Sequence, residues 1–246
     1  MRKLKKIMLL VLMGVMSMNN IGCKPFMSKE KQAKQFLEEK YNEEFEIKQV
    51  RGSNLFDDYY TVIAYPVERP EVVFQAGINL DGSGGSDNYA SKMFFINFSN
   101  QFAKKLDNLK GFYYIFTVPL IEANVTNPNM SIEEYMEKWP HSKFHIYLNY
   151  CPDNETMDVD VDELYNELNC ALEGFESIRG YICLYVVDEG IMQDIQAYIE
   201  THDQRYYDYE QKVDRYHIDN IEFEQGKLQI TKEEMKKIVE NKQYGI

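Results

Sequence analysis

Four tyrosines in the C-terminal part of the chain have the spacing of a recognition surface. Tyr206, Tyr207 and Tyr209 lie within the segment Arg205–Tyr209, and Tyr216 follows shortly after. A tyrosine ring is rigid and has a polar tip, so it can contact a protein or a glycan at a small entropic cost. The same rings would also suit the edge of a hydrophobic core, because the chain contains 19 tyrosines. Both interpretations stay open, and these four residues are candidate binding residues.

An acidic tract near residue 160 begins like a calcium-binding loop. Asp158, Asp160 and Asp162 alternate as the first ligands of an EF-hand do. The match then fails, because Glu163 stands where the loop needs glycine and Asn169 where it needs a bidentate glutamate. We interpret Asp160 and Asp162 instead as the N-cap and first-turn anion of a helix. A weak calcium site of another kind is the remaining alternative.

Two further motifs fall short of a cofactor or metal site. The glycine-rich loop Asp81–Asp87 follows a predicted strand and precedes a predicted helix, but an aspartate replaces the last glycine of the dinucleotide-binding motif. Its two terminal aspartates would also repel a phosphate. His141 and His145 are four residues apart, yet the second belongs to an alternating strand rather than to a helix. We therefore predict no bound cofactor and assign no metal ligand.

Hydrolytic chemistry is kept as an alternative without assigned residues. The chain has 40 acidic residues, so pairs of carboxylates that could cleave a glycosidic bond are numerous. It has no G-x-S-x-G motif that would position a serine nucleophile. No pair stands out by its spacing, so we assign no catalytic residue. A cell-envelope hydrolase that uses a carboxylate pair is the alternative function.

The beginning of the chain has the layout of an export signal. Arg2, Lys3, Lys5 and Lys6 form a positively charged head, and the apolar run Ile7–Met16 follows. A membrane-spanning helix needs about 20 apolar residues, so this run is too short to cross a bilayer. The arrangement is typical of a signal peptide.

The signal ends in Asn20-Ile21-Gly22-Cys23, which resembles the lipobox of bacterial lipoproteins. In that family, a small residue precedes a cysteine that is diacylated and becomes the N-terminus. Gly22 fits this pattern, whereas Asn20 stands where the family usually has leucine. The resemblance implies a signal peptide over residues 1–22 and lipidation of Cys23, for example with palmitate. Two acyl chains suffice for lasting attachment to a membrane. An ordinary signal peptide with a nearby cleavage site is the alternative.

Without the signal, the chain is strongly acidic. Residues 1–22 hold four of the 27 basic residues and none of the 40 acidic ones, so 23 basic residues remain against 40 acidic ones and the formal charge is −17. A surface of this kind repels nucleic acid, which excludes that class of partner. Beyond Cys23 the chain has three cysteines, Cys151, Cys170 and Cys183. An odd number cannot be fully paired, so we expect three buried, unreactive thiols, with one disulfide between two of them as the alternative.

Hydrophobic periodicity predicts an α+β fold with two similar-sized units of helices and antiparallel sheet. After a tether at residues 23–29, the first unit covers residues 30–125. It contains the helix Glu30–Asn42, a three-stranded meander and the long helix Tyr89–Leu109. The unbroken apolar run Gly111–Ile121 predicts a central strand that is buried on both faces.

The second unit is predicted over residues 130–246. Capping boxes at Ser131 and Thr231 each mark the start of a helix. The segment Tyr181–Val187 is a second apolar strand, and Ile218–Ile230 predicts a hairpin around Gln225-Gly226. Both units are therefore expected to combine helices with strands.

The segment Ala33–Glu46, together with the signal, resembles the small uncharacterised α+β lipoproteins of Gram-positive bacteria. In these proteins, a helix rich in lysine and glutamate runs into a Glu-Phe-Glu-type strand. The resemblance implies a lipid-anchored protein on the extracytoplasmic face of the cell membrane, and it implies no agreed activity. Because the chain combines a membrane anchor with an acidic body in which we assign no catalytic residues, we expect a binding module with a protein or glycan partner. One version is protection against a secreted toxin, in which an acidic surface binds a basic partner.

Overall fold

The computed structural model describes residues 27–52, 58–120, 124–154, 156–201 and 216–244. The predicted signal peptide, Cys23 and the segment Arg205–Tyr209 lie outside these ranges. Within them, no helix is long and apolar enough to cross a membrane.

Helices and strands alternate along the described chain, which has an α+β fold as predicted. The helices are α1 (Lys29–Tyr41), α2 (Tyr89–Ala103), α3 (Ile132–Lys138), α4 (Val161–Leu172), α5 (Glu189–Thr201) and α6 (Lys232–Tyr244). The strands are β1 (Phe45–Arg51), β2 (Tyr59–Pro66), β3 (Phe74–Asn79), β4 (Gly85–Asp87), β5 (Phe112–Pro119), β6 (Phe144–Cys151), β7 (Arg179–Val186), β8 (Tyr216–Glu224) and β9 (Lys227–Leu228).

The first sheet is antiparallel and has the order β1-β2-β3-β4. Alternate residues of β2 point to opposite faces, and Tyr60, Val62 and Ala64 point inward. Helix α1 covers this inner face through Ala33 and Leu37, which are completely buried. One face of this sheet therefore forms part of a hydrophobic core. Strand β4 was not predicted, because it is the short return of the glycine-rich loop onto β3.

The second sheet has the order β5-β6-β7-β8-β9 and is mixed. Strands β6 and β7 are parallel, and the connection between them contains α4. All other neighbouring strands are antiparallel. The predicted hairpin is confirmed, since Glu224 pairs with Lys227 across Gln225-Gly226.

Helix α2 takes part in both hydrophobic cores. Tyr89 and Met93, in its first turns, belong to the core of the first sheet. Phe94, Phe98 and Phe102 instead pack into the larger core under the second sheet. A helix with apolar residues on two sides can be buried by two layers at once. It therefore ties the two sheets together.

The predicted position of the apolar strand at residues 111–121 is wrong. The strand found there, β5, is an edge strand of the second sheet rather than a central strand of the first unit. Its apolar character has another cause, since Ile115 packs into one core and Phe116 into another on the opposite face. A strand covered on both faces reads as a continuous apolar run wherever it lies in the sheet.

Candidate functional site

The predicted binding tyrosines fall mostly outside the described residues. Tyr206, Tyr207 and Tyr209 lie there, and so does Cys23. Tyr216 is the first residue of β8, where its backbone pairs with Val186. A binding role for these tyrosines and lipidation of Cys23 stay predictions.

One face of the second sheet, next to β8, carries a row of aromatic rings. Phe116 stacks on Tyr147 with 4.6 Å between centroids and an angle of 2°, and Tyr147 is 6.2 Å from Tyr185. The His217 ring lies 5.5 Å from Tyr185 on the far side. Phe116, Tyr147 and Tyr185 are buried, and Ile195 of α5 belongs to the same cluster. This row is therefore part of a hydrophobic core.

The two histidines that a metal site would need do not converge. His141 lies beside Arg179, whose Nη2 is 3.5 Å from its Nδ1. His145 instead contacts the rings of Tyr147 and Tyr181 on the sheet. Among the residues that the structure describes, no group of three or more histidine, cysteine, aspartate or glutamate side chains is placed to hold a metal ion.

The acidic tract is engaged in local structure. Asp160 is the N-cap of α4, and its Oδ1 accepts a hydrogen bond of 3.0 Å from the backbone N–H of Glu163. The Glu163 carboxylate accepts from both the backbone and the side chain of Lys110. The interpretation of Asp160 as a helix cap is confirmed.

The glycine-rich loop forms the turn between β3 and β4. Asp81 Oδ1 accepts from the backbone N–H of Ser83 at 2.8 Å, and Gly82 has a φ of 68°, a value that favours glycine. The carboxylate of Asp87 turns inward and accepts hydrogen bonds from Tyr41 and Lys40. The loop therefore closes a hairpin and aims its last aspartate at helix α1.

A cluster of tyrosines and carboxylates joins α1 to the start of α2. Tyr41 donates to Asp87 Oδ1, and Tyr89 donates to Glu43 Oε2, both at 2.6 Å. Arg69 completes the second pair, since its Nη2 donates to Glu43 and to the Tyr89 hydroxyl. Burial, followed by the hydrogen bond to a carboxylate, raises the pKa of both tyrosines well above its usual range. The side chain of Asp87 is completely buried and that of Glu43 is 32% exposed, and each carboxylate is paired with a cation and a tyrosine, so the cluster stabilises the fold.

The outer face of the first sheet is a better candidate for ligand contact than this cluster of tyrosines and carboxylates. We call this surface the open face. It consists of the outward side chains of the four strands, including Lys48 at a bulge in β1, namely Glu46, Lys48, Gln49, Arg51, Tyr59, Thr61, Ile63, Tyr65, Gln75, Gly77, Asn79 and Ser86. Helices α1 and α2 pack on the opposite, inner face. The open face therefore presents side chains of a regular sheet to solvent.

The open face is arranged in rows that cross the strands. Gln49, Ile63 and Gln75 are register partners on β1, β2 and β3. Cross-strand partners have Cβ atoms about 4.5–5.5 Å apart, so the two amide side chains flank Ile63. Ile63 is only 9% exposed, which leaves amide groups rather than aliphatic surface at the centre.

Tyr59 is the most exposed aromatic residue of this surface. It is 48% exposed, and its ring leans over Gly77 on the neighbouring strand. Ring atom Cδ2 lies 3.4 Å from the position that a Cβ of residue 77 would occupy, and Cε2 lies 3.9 Å from it. A glycine at this position therefore leaves room for one edge of the Tyr59 ring above β3.

Neither Tyr59 nor the open face was among the candidate sites predicted from the sequence. The alternation in β2 predicts which residues share a face, so Tyr59, Thr61 and Tyr65 could be grouped from the sequence alone. The position of Gly77 beside the ring depends on the register between β2 and β3, which cannot be predicted from the sequence. The missed signal is the combination of an exposed tyrosine with a glycine in the next strand.

Comparison with known proteins supports the fold. No family model matches the chain, and no curated protein matches it. The structure is similar to the crystal structure of a DUF5037 family protein from Ruminococcus gnavus ATCC 29149, with a TM-score of 0.63 and 12% sequence identity. The similarity covers 88% of this chain and 99% of that one. At this identity the similarity shows the shared α+β fold and nothing about activity.

Proposed function

We propose that the chain is a lipid-anchored, extracytoplasmic binding protein whose ligand surface is the open face of the first sheet. The observation that carries the proposal is a sheet face opposite the helices of the described chain, with an exposed ring, Tyr59, amid amide and hydroxyl side chains. Tyrosine is common at recognition surfaces because its ring offers contact area at a small entropic cost. The alternation of β2 keeps these side chains on one side and the core residues on the other.

The anchor rests on the signal and on Cys23. Helix α1 begins at Lys29, only six residues after Cys23. A chain spans at most about 3.6 Å per residue, so this short connection keeps the first residue of α1, the helix that packs on the first sheet, within about 20 Å of an anchored cysteine. A binding surface on the first sheet would then lie close to the membrane and to any polymer at its outer surface.

Binding is favoured over hydrolysis by the state of the acids near the first sheet. Asp87 is buried and accepts from Tyr41 and Lys40, while Glu43 accepts from Tyr89 and Arg69. A pair of catalytic carboxylates must reach the substrate with at least one acid ready to donate a proton. Each of these two carboxylates is instead paired with a cation and with a tyrosine hydroxyl.

The anchor is tested by labelling growing cells with radioactive palmitate. We expect the label to be lost from Cys23→Ala and retained by the matched control Cys170→Ala, which removes the exposed cysteine of α4. Equal labelling of both variants would contradict the anchor. Loss from both would also contradict it, because acylation would then depend on a second cysteine.

A further inference from the structure

We propose that the open face binds an uncharged glycan chain, with Tyr59 as the stacking platform for one sugar ring. The inference rests on the proposed binding function and adds the chemical class of the ligand. One side of a pyranose ring exposes aliphatic C–H groups, which pack against the face of an aromatic ring. The rim of the same sugar carries hydroxyl groups that need hydrogen-bond partners.

The position of Tyr59 provides the geometry that stacking needs. The ring leans across β3 over Gly77, close to the Oγ of Ser86, which lies 3.6 Å from the position of a Cβ on residue 77. Tyr59 is 48% exposed, so part of its ring is accessible to a ligand. A ring that already rests against the strand loses little further freedom when a sugar packs on it.

Amide side chains lie on the same face as the platform. Asn79 is the register partner of Tyr59, whereas Gln49 and Gln75 lie in the row across Ile63, about 13 Å along β2 from Tyr59. An amide offers a donor and an acceptor side by side, which matches neighbouring hydroxyl groups on a sugar. Among the residues that the structure describes, the Gln75 side chain has no hydrogen-bond partner of its own. The Gln75 amide is therefore available to a sugar hydroxyl, whereas Asn79 donates to Ser83 and Gln49 accepts from Arg51. Both of these contacts are exposed and join near neighbours in the chain, so a ligand can replace them without disturbing the core.

The charge of the open face favours an uncharged ligand. Its outward side chains include one acid, Glu46, and two bases, Arg51 and the exposed Lys48 at the β1 bulge, so the formal charge of the face is +1. The chain after residue 22 has a formal charge of −17, so this nearly neutral face differs from the molecule as a whole. An anionic polymer would meet no basic patch here, and a basic protein would meet no acidic one.

The composition of the face also favours a glycan over a protein. The centre of a protein interface is rich in apolar and aromatic side chains that become fully buried. The aliphatic residue of this face, Ile63, is already buried, with 9% of its surface exposed, so a partner could bury little more of it. Tyr59 and Tyr65 are six positions apart on β2, which corresponds to about 20 Å. That length suits an extended chain of several sugar units.

The test measures binding of soluble neutral polysaccharides to the full-length protein purified in mild detergent. The probes are a galactomannan, a β-glucan and an arabinoxylan, with heparin as the charged comparison, and affinity is read by calorimetry. We expect at least one neutral polymer to bind and heparin not to bind. Tyr59→Ala should weaken binding by about tenfold or more, while Tyr59→Phe, which keeps the ring, should stay within about twofold.

Two further variants separate stacking from general effects. Phe112→Ala removes an exposed ring of the second sheet, 60% exposed, and should leave binding unchanged. Gly77→Val keeps Tyr59 but displaces its ring, so binding should weaken although the protein retains its thermal unfolding midpoint. The inference is overturned if no neutral polymer binds, or if Tyr59→Ala binds as tightly as the wild type.

The failure of the glycan inference can be told apart from failure of the binding function. If no polymer binds but chemical cross-linking on cells joins the open face to a protein, and Tyr59→Ala abolishes the cross-link, the ligand class is wrong and the binding function stands. If neither polymers nor proteins engage the face, both proposals fail. The palmitate experiment reports on the anchor in either case.

Discussion

Tyr41 donates a hydrogen bond of 2.6 Å to Asp87, a carboxylate that is completely buried between helix α1 and the start of α2. Two residues further along each segment, Tyr89 donates a bond of the same length to Glu43. The two segments thus exchange tyrosine-to-carboxylate bonds in opposite directions. This reciprocal pair fixes α1 on the sheet that carries the open face.

Removing the Tyr41 hydroxyl should destabilise the protein. In Tyr41→Phe the buried Asp87 carboxylate loses a donor, and a hydrogen bond to a charged group is worth about 1.5–3 kcal/mol. We expect the free energy of unfolding in urea to fall by that amount. The matched control is Tyr65→Phe, whose hydroxyl donates to the exposed Glu46 and should change stability by less than about 0.5 kcal/mol. Equal effects of the two substitutions would contradict the structural role of Tyr41.

High pH should destabilise the fold through its buried tyrosines. Burial, with the nearby Glu163 and Asp160 carboxylates, raises the pKa of Tyr150 to about 12, while an unfolded tyrosine ionises near pH 10. Above pH 10 the unfolded chain therefore holds fewer protons than the folded one, so stability is complete below pH 10 and falls as pH rises toward 12. Tyr150 alone should contribute a loss of about 1.4 kcal/mol per pH unit in this window. In Tyr150→Phe, the free energy of unfolding should fall less steeply between pH 9 and pH 12, as measured by urea unfolding. The same pH dependence in the variant and the wild type would contradict the raised pKa of Tyr150.

Gly180 should not tolerate a side chain. A Cβ at this position would lie too close to the backbone of Phe144, its register partner on the parallel strand β6. The obstacle is backbone rather than a flexible side chain, so Gly180→Ala must shift the sheet, at a cost of about 1–3 kcal/mol. Gly52→Ala is the control, because no atom lies within 4 Å of its Cβ position. Thermal unfolding of the two variants should differ clearly, and equal midpoints would contradict the close approach of β6 and β7.

Thiol reactivity should distinguish the cysteines by their exposure. The prediction of three buried thiols is wrong for Cys170, which lies exposed on the helix α4, while Cys151 and Cys183 are 7% and 3% exposed. A thiol reagent needs access to the sulfur, so under native conditions Cys170 should react quickly and the two buried residues slowly. In the acylated protein Cys23 offers no thiol, so one fast-reacting group is expected per chain. Two fast groups, with one remaining in Cys170→Ala, would indicate an unmodified Cys23.

Local features were predictable from sequence because each depends on a few neighbouring residues. The capping boxes at Ser131 and Thr231 are both present, with reciprocal bonds to Glu134 and Glu234. The turn at Gln225-Gly226 follows equally from local backbone chemistry.

Relationships between distant residues were not predictable in the same way. Strand β5 joins the second sheet through pairing with β6, and an apolar run alone carries no information about its partner. The bond from Tyr41 to Asp87 spans 46 positions, and the contact of Tyr59 with Gly77 depends on the register of β2 and β3. Such pairings are decided by how whole elements pack. The open face, which rests on them, therefore emerged only from the structure.

The most direct test of a lipid-anchored binding protein is mass spectrometry of the N-terminal peptide of the protein isolated from membranes. The account predicts a peptide that begins at Cys23 and carries a diacylglyceryl group on its sulfur. A peptide that begins at another residue, or that contains Cys23 with an unmodified thiol, would contradict it.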